Sequence, residues 1–459
     1  TQLCGIDSDY YSQPATLVTY EAGNDTNPVK WRSAPVSNGY GSAGLLKAGD
    51  KGYVFNYYYD YYYGGVEDGE AVDFKADTAE DTSLSTIKIV KFADGKDPQE
   101  LGLIKLGMPG EETDPYKYYY GYSNSAVTEN GAFAFINETW DYYYPESDCY
   151  SSETDCKAEG EGYGIYGSSV LVYDVSDPEA GTVEPVVVAD NVRSLDYDTK
   201  IIANGTTLWF TECKQKGYDD SDREILYCYA VPVDVKNPAK PVIGKKVNIP
   251  GKIIGMSDDG EYLYTSHIAW NDAVTENEDG YYYEQYIRTL YILKFNSDKT
   301  KVSVVKKISI PSAYESTEKM YRYQYSDFIV KDNRVFIGTN ETVYNYEETE
   351  CSYWYYSNRE TTMNVQIFRA EDGKRIYSKT FENGARYSSV EGGGFLLSIE
   401  DNEDIYYGYS DSNNMIYISK EGVEKELELP EKTYGWYSYS LSSAVIGDVL
   451  YIARDWNGI

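Results

Sequence analysis

The sequence predicts an all-β fold in which four-stranded antiparallel units follow one another around a ring. Three observations carry this reading. A tight turn between two apolar strands recurs along the whole chain, a second strand pair follows each such hairpin, and the orphan half-units at the two ends complement each other.

The recurring hairpin is written seven times: LLKAGDKGYVF, AVTENGAFAF, IIANGTTLWF, IGMSDDGEYLY, FIVKDNRVFI, SSVEGGGFLL and AVIGDVLYI. Each joins two β-rich runs through Gly, Asn or Asp, the residues that tolerate the positive φ of a short hairpin turn. A second pair follows each of the first six, from TIKIVKFADGKDPQELGLIKLG to NMIYISKEGVEKELELP. Four strands per unit, repeated at tens of residues, is the pattern of propeller blades.

The ends set the expected count. The seventh hairpin, near Gly447, is followed only by VLYIARDWNGI, and the pair it lacks is found in ATLVTYEAGNDTNPVKWRSAPV, Ala15 to Val36. The expectation is therefore one seven-bladed β-propeller over residues 15–459, with four antiparallel strands per blade. Its last blade is closed by strands from both termini, about 441–459 plus 15–37, and residues 1–14 form an N-terminal arm. Closure removes the free sheet edges that invite aggregation. Two β-sandwiches are the competing architecture, and they leave the complementary half-units unexplained.

This strand pattern resembles secreted bacterial seven-bladed β-propeller proteins, distantly WD-repeat-like and YWTD-like. The resemblance runs over nearly the whole chain. The Gly-His and Trp-Asp signatures of WD repeats are absent, and EYLYTS at Glu261–Ser266 matches the YWTD element loosely. What the resemblance implies is architecture, with no functional residue attached.

Within 459 residues there are 53 Tyr against 12 Phe. A core needing only aromatic bulk would use Phe freely, because a buried phenol must find a hydrogen-bond partner. The excess points to half-wet amphipathic surfaces. A net charge of −34 excludes nucleic acid and anionic membranes as partners, since both need a positive footprint, and it favours basic partners or metal cations. No stretch is long and apolar enough for a membrane span, and TQLC at the start carries neither a signal peptide nor the small residues of a lipidation site. The chain is expected to begin at a processed N-terminus.

Six cysteines point to an oxidising compartment, and the chain is expected outside the cell or at its surface. Cys149 and Cys156 share one polar loop and form a candidate small disulfide loop. Cys213 and Cys228 face each other if their strands form a hairpin. Cys4 and Cys351 remain, to pair within the chain or with a neighbouring molecule.

In an up-and-down sheet of strands A to D, the B–C and D–A connections emerge on one face. These connections hold nearly all the tyrosine clusters, and their loops are rich in Asp and Glu. The candidate interaction surface is Tyr57, Tyr58, Tyr59, Tyr61, Tyr62 and Tyr63, then Tyr142, Tyr143 and Tyr144, then Tyr281, Tyr282 and Tyr283, and last Tyr353, Trp354 and Tyr355. Tyr gives large contact area at low entropy cost, which suits an interface. The same rings also suit a plain cover over long polar loops.

Catalytic signatures are missing. The one histidine, His267, falls on a B strand in YTSHIAW and reads as structural. No GxSxG, HExxH or phosphate-cradling glycine loop occurs. A weak cation site is read in YDDSDRE, where Asp219, Asp220, Asp222 and Glu224 offer hard oxygen ligands for calcium without the EF-hand spacing. No other cofactor is expected. Asn-x-Ser/Thr sequons stand at Asn24, Asn137, Asn204 and Asn340.

The leading expectation is a non-catalytic extracellular propeller, not an enzyme. It would self-assemble or adhere through its Tyr- and acid-rich face, with a Cys4 to Cys351 bond linking molecules into a filament. Its partners would be copies of itself or another surface protein. The alternatives are a module binding a polysaccharide or a metal cation, and a carboxylate-based hydrolase or lyase.

Overall fold

The computed structural model describes residues 2–7, 16–22, 29–35, 43–56, 65–67, 70–72, 86–91, 99–107, 117–141, 165–190, 200–218, 224–270, 283–316, 320–348, 354–383, 385–390, 393–399, 414–428, 442–446 and 449–453. Every element among them is a β-strand.

The strands run in sheets in chain order. β1 (Gln2–Asp7), β2 (Thr16–Ala22) and β3 (Val29–Pro35) form a three-stranded sheet. β4 (Ala43–Ala48) and β5 (Lys51–Asn56) continue, past a separate small hairpin of β6 (Gly65–Glu67) and β7 (Glu70–Val72), to β8 (Thr86–Lys91) and β9 (Gln99–Leu106). The next sheet orders β10 (Lys117–Val127), β11 (Ala132–Asp141), β12 (Ile165–Asp174) and β14 (Val186–Ala189), while the short β13 (Thr182–Val183) crosses to pair in parallel with β9. Then come β15 (Ile202–Asn204), β16 (Thr207–Tyr218) and β17 (Glu224–Asp234), edged by β18 (Val242–Ile243) and β19 (Val247–Ile249).

Two four-stranded groups follow, joined into one eight-stranded sheet. The first is β20 (Lys252–Met256), β21 (Tyr262–Trp270), β22 (Tyr283–Phe295) and β23 (Val302–Ser316). The second is β24 (Met320–Lys331), β25 (Arg334–Glu348), β26 (Trp354–Arg369) and β27 (Arg375–Phe381). They join because Ala313–Ser316 pairs with Tyr321–Gln324 as a hairpin raised beyond the body of both groups. The chain ends with β28 (Ala385–Ser389), β29 (Phe395–Ile399), β30 (Asn414–Ile418) and β31 (Glu424–Glu428), then β32 (Ser442–Ile446) and β33 (Val449–Ala453).

First strands of successive groups are neighbours: β1 lies by β4, β4 by β10, β10 by β15, β20 by β24, β24 by β28, and β28 by β32. β20 lies against β16 and β17, and β32 lies beside β1, so the succession returns to its start.

This ring differs from the expected one at its ends. Residues 2–7, read as part of an arm, form strand β1 and pair with β2, so β2 and β3 belong to a sheet with its own first strand. Among the described residues no ladder joins β33 to β2, and the ends contribute two small sheets where one shared blade was expected. The described strands thus fall into eight groups in chain order, which does not establish the expected count of seven blades. β1 needs only a short loop to reach β2.

The core lies in the seams between groups. On β11, Phe133 and Phe135 face back to Tyr53, Phe55 and Ile104, while Ala132, Ala134 and Ile136 face forward to Leu208, Phe210 and Val231. On β25, Val335 and Ile337 face back to Tyr264 and Leu290, and Phe336 faces forward to Phe395 and Leu397. Strands buried on both faces read as continuous apolar runs, which is why AFAFI and TLWF lack polar alternation. Each fully buried Phe or Ile contributes about 1.5–3 kcal/mol by leaving water.

At the turn end of the sheets, polar side chains cross from one group to the next. The Asn130 amide donates to the Val235 carbonyl at 2.7 Å, and Arg334 Nε donates to the Lys420 carbonyl at 2.8 Å. The Asn204 amide donates to the Asp258 carbonyl at 3.2 Å. The turn beside Arg334 is a two-residue hairpin in which Asp332 (φ 48°) and Asn333 (φ 56°) take the left-handed conformation, as KDNR requires.

Candidate interaction face

Along β16, β21 and β25 the buried chemistry changes with height. β25 begins at its turn with Val335, Phe336 and Ile337, continues with buried Thr339, Asn340 and Thr342, and then reaches Tyr344. β21 passes from Tyr262, Leu263 and Tyr264 to buried Thr265 and Ser266, and β16 from Trp209 and Phe210 to Thr211. The apolar level builds the seams, and several hydroxyls of the level above it pair with one another or with the backbone, while Ser312 Oγ and Asn340 Oδ1 meet no partner among the described residues. Ser326 and Thr339 hydroxyls meet at 3.0 Å, those of Thr342 and Thr361 at 3.3 Å, and the Thr265 hydroxyl donates to the Pro250 carbonyl at 2.6 Å.

Above that level the strands rise as ribbons. β25 and β26 run 15 and 16 residues, roughly 50 Å each at strand rise, well past the seam core. On the β23–β24–β25 ribbon, Tyr314 stands opposite Tyr323, and Tyr321 opposite Tyr344. Tyr321, Tyr323 and Tyr325 share one face by strand alternation. The rings pack on one another: Tyr323 stacks on Tyr325 at 5.9 Å and on Tyr344 at 6.2 Å, and Tyr314 meets Tyr321 edge-on at 5.1 Å. The rings thus cover one another in part, and Tyr325 is 43 % exposed. The opposite face of the ribbon carries charge, with Arg322 paired to Glu341 at 2.5 Å and to Glu315 at 4.0 Å.

Arg288 ties this ribbon to the neighbouring group. Its guanidinium donates to the Ser326 carbonyl at 2.7 Å and lies over the Phe328 ring at 4.7 Å. Several lysines sit over rings likewise: Lys216 over Tyr227 at 5.0 Å, Lys294 over Tyr262 at 5.2 Å and Lys307 over Tyr291 at 5.9 Å.

Of the surface tyrosines read from sequence, Tyr57, Tyr58, Tyr59, Tyr61, Tyr62, Tyr63, Tyr142, Tyr143, Tyr144, Tyr281, Tyr282 and Tyr353 lie outside the described residues. Tyr283 begins β22 and pairs with Glu315, while Trp354 and Tyr355 begin β26 opposite Glu348 and Glu347. The five clustered tyrosines, 314, 321, 323, 325 and 344, were not among the candidates. Their signal was present as the period-two run Tyr321, Tyr323, Tyr325, in a connection that sequence reading places on the same face.

Cys213 and Cys228 stand opposite each other on β16 and β17 and form a disulfide, with Cα atoms 4.0 Å apart. Cys149, Cys156 and Cys351 lie outside the described residues. Cys4 sits on β1 opposite Thr19, on a paired strand in the ring and not on a free arm. Asp219, Asp220 and Asp222 also lie outside the described residues, and Glu224 starts β17 opposite Tyr218. Among the described residues no group of three His, Cys, Asp or Glu is placed to hold a metal ion.

His267 is exposed on β21 opposite Thr289. Its imidazole is held below the ordinary value by partial desolvation first and then by the charges of Lys307 and Lys252. Two sequon asparagines are engaged in the fold. Asn340 is 4 % exposed, and the Asn204 amide is committed to Asp258, so neither offers a free amide to a glycan.

No protein-family model matches the chain, and no curated protein matches it. Among solved structures it is similar to a Trypanosoma rangeli sialidase in complex with the inhibitor DANA, at 10 % identity and a TM-score of 0.26. That match covers 79 % of this chain and 54 % of the sialidase, so the chain spans about half of that protein's length. The expectation that the chain is not an enzyme is corrected here, because the structure it is similar to is an enzyme. A likeness of this degree assigns no chemistry, and the non-catalytic reading is set aside.

Proposed function

We propose that the chain is an interaction module of β-propeller type, working outside the cell or at its surface, whose tyrosine-bearing ribbons contact a second copy of itself. The sheets act as blades, and the polar connections of one face act as the contact surface. The observation that carries this reading is the tyrosine row of β23, β24 and β25. It is raised above the hydroxyl level, its rings pack on one another, and Tyr325 remains 43 % exposed. Rings used only to build a core would sit in the seams, as Tyr173 and Tyr264 do. The Cys213–Cys228 bond supports an oxidising compartment.

Sedimentation velocity over a concentration series tests the reading. The wild type is expected to associate, and a Tyr323→Ser/Tyr325→Ser variant with an unchanged far-ultraviolet spectrum is expected to stay monomeric. Equal association of the two would overturn it.

A further inference from the structure

We infer that the outer rim formed by β18, β19 and β23 is the surface that receives the tyrosine and carboxylate face of the next copy. The inference rests on the reading of the tyrosine face just given, and it names the other half of the contact.

Composition and apolar exposure together mark this rim. The chain holds 75 Asp and Glu, yet PVIGKKVNIP and KVSVVKKISIPS, the segments that build the rim, contain none. Carboxylates stand on or beside β9, β14 and β31, as Glu100, Glu184, Asp190, Glu424 and Glu426, whereas the outer strands β3 and β27 carry none. β19 and β23 are neighbours, so the two segments form one surface.

Exposure gives the rim a second property. Val242 is 63 % exposed, Val304 57 % and Ile243 48 %, the largest apolar exposures described apart from Val423. Around them Lys245, Lys301 and Lys307 are also exposed. Apolar side chains fringed by cations complement a surface of ring edges, hydroxyls and carboxylates. Glu315 and Glu341 supply carboxylates on the tyrosine ribbon itself, and the sequence is dense in them in DYYYGGVEDGE and NEDGYYYEQY.

Net charge alone would keep two such chains apart. At physiological ionic strength, however, charges more than about 8 Å apart are largely screened, and the local match at the contact decides. A contact between two different surfaces is heterologous, so it propagates unless the rotation closes it.

Two variants test this, each first shown to unfold at the wild-type denaturant midpoint. Lys245→Glu/Lys301→Glu/Lys307→Glu reverses the rim, and Val242→Ser/Val304→Ser removes its apolar part while leaving charge alone. Both are expected to weaken self-association at least about tenfold in sedimentation velocity. Mixing the charge-reversed rim variant with Tyr323→Ser/Tyr325→Ser, each monomeric alone, is expected to give a one-to-one dimer, because each supplies the surface the other lacks.

If the tyrosine variant is monomeric while both rim variants associate like wild type, the contact is tyrosine face to tyrosine face. That result sinks the rim and leaves the proposed function standing. A wild type that is monomeric throughout sinks both. Binding of the wild type to anionic phospholipid vesicles without self-association, lost in the charge-reversed variant, overturns the inference in favour of a lipid occupant.

Discussion

The side-chain amide of Asn340 donates to the Tyr325 hydroxyl at 3.2 Å, so a buried residue of the hydroxyl level fixes the most exposed ring of the tyrosine row. Asn340→Ala is expected to cost about 1–2 kcal/mol, the loss of a buried polar contact, and to free the Tyr325 ring. Urea unfolding reads the first effect as a lower midpoint at unchanged slope. An unchanged midpoint would show that the amide carries no weight.

The cross-strand disulfide offers a second handle. Cys213 and Cys228 are 15 residues apart in sequence, and closing a loop of that length stabilises by about 3 kcal/mol in the chain-entropy account. Cys213→Ser/Cys228→Ser should lower stability by roughly that amount, with reductant reproducing the effect on the wild type. If reductant leaves the unfolding curve where it was, the bond does not hold the β16–β17 ribbon.

Tyr173 and Tyr264 are both fully buried, but they differ in their hydroxyls. That of Tyr173 donates to the Gly107 carbonyl at 2.8 Å, while that of Tyr264 meets no hydrogen-bond partner. Tyr173→Phe should cost about 1 kcal/mol, and Tyr264→Phe should be neutral or stabilising. Equal losses from the two changes would refute the assignment.

The same two phenols set an alkaline limit. Burial is the main cause that pushes both above their ordinary value of 10.0, with nearby carboxylates adding to it. Their folded values exceed the unfolded one, so the stabilisation is fully present below about pH 10 and is lost as pH rises further. The loss is at most about 1.4 kcal/mol per pH unit for each phenol. In thermal melts from pH 8 to 12, Tyr173→Phe should flatten the alkaline decline. A decline identical to wild type would place its cause elsewhere.

Asn130 joins one sheet to the next at its turn, so Asn130→Ala should lose about 1 kcal/mol without altering the tyrosine row. Hydrogen exchange should quicken around residues 128–132 and 233–237 and leave residues 320–345 unchanged.

Much of the fold was legible in the residues. Hairpin turns such as KDNR and TENG mark where strands reverse, and runs such as AFAFI mark strands buried on both faces. The pairing of the ends was less legible, because pairing between distant strands leaves no local mark. VLYIA and ATLVTY look equally able to pair with each other, and only the competing strand Gln2–Asp7 decides the outcome. The sequence placed the tyrosine-rich connections B–C and D–A together on one side by topology. The described tyrosine cluster was not legible, because Tyr314 and Tyr344 join Tyr321, Tyr323 and Tyr325 through cross-strand register alone.

The links between groups run toward later residues. Asn130 waits for residue 235, Arg334 for residue 420, and the outer edge of β9 for the parallel strand Thr182–Val183. During synthesis, then, the newest sheet on the ribosome is always the unsealed one, and each is locked only when its successor emerges. A pause in translation within residues 235–250 would leave the sheet of β10 to β14 half-covered. Growth of this molecule is directional, and its vulnerable surface travels with the ribosome until β32 meets β1.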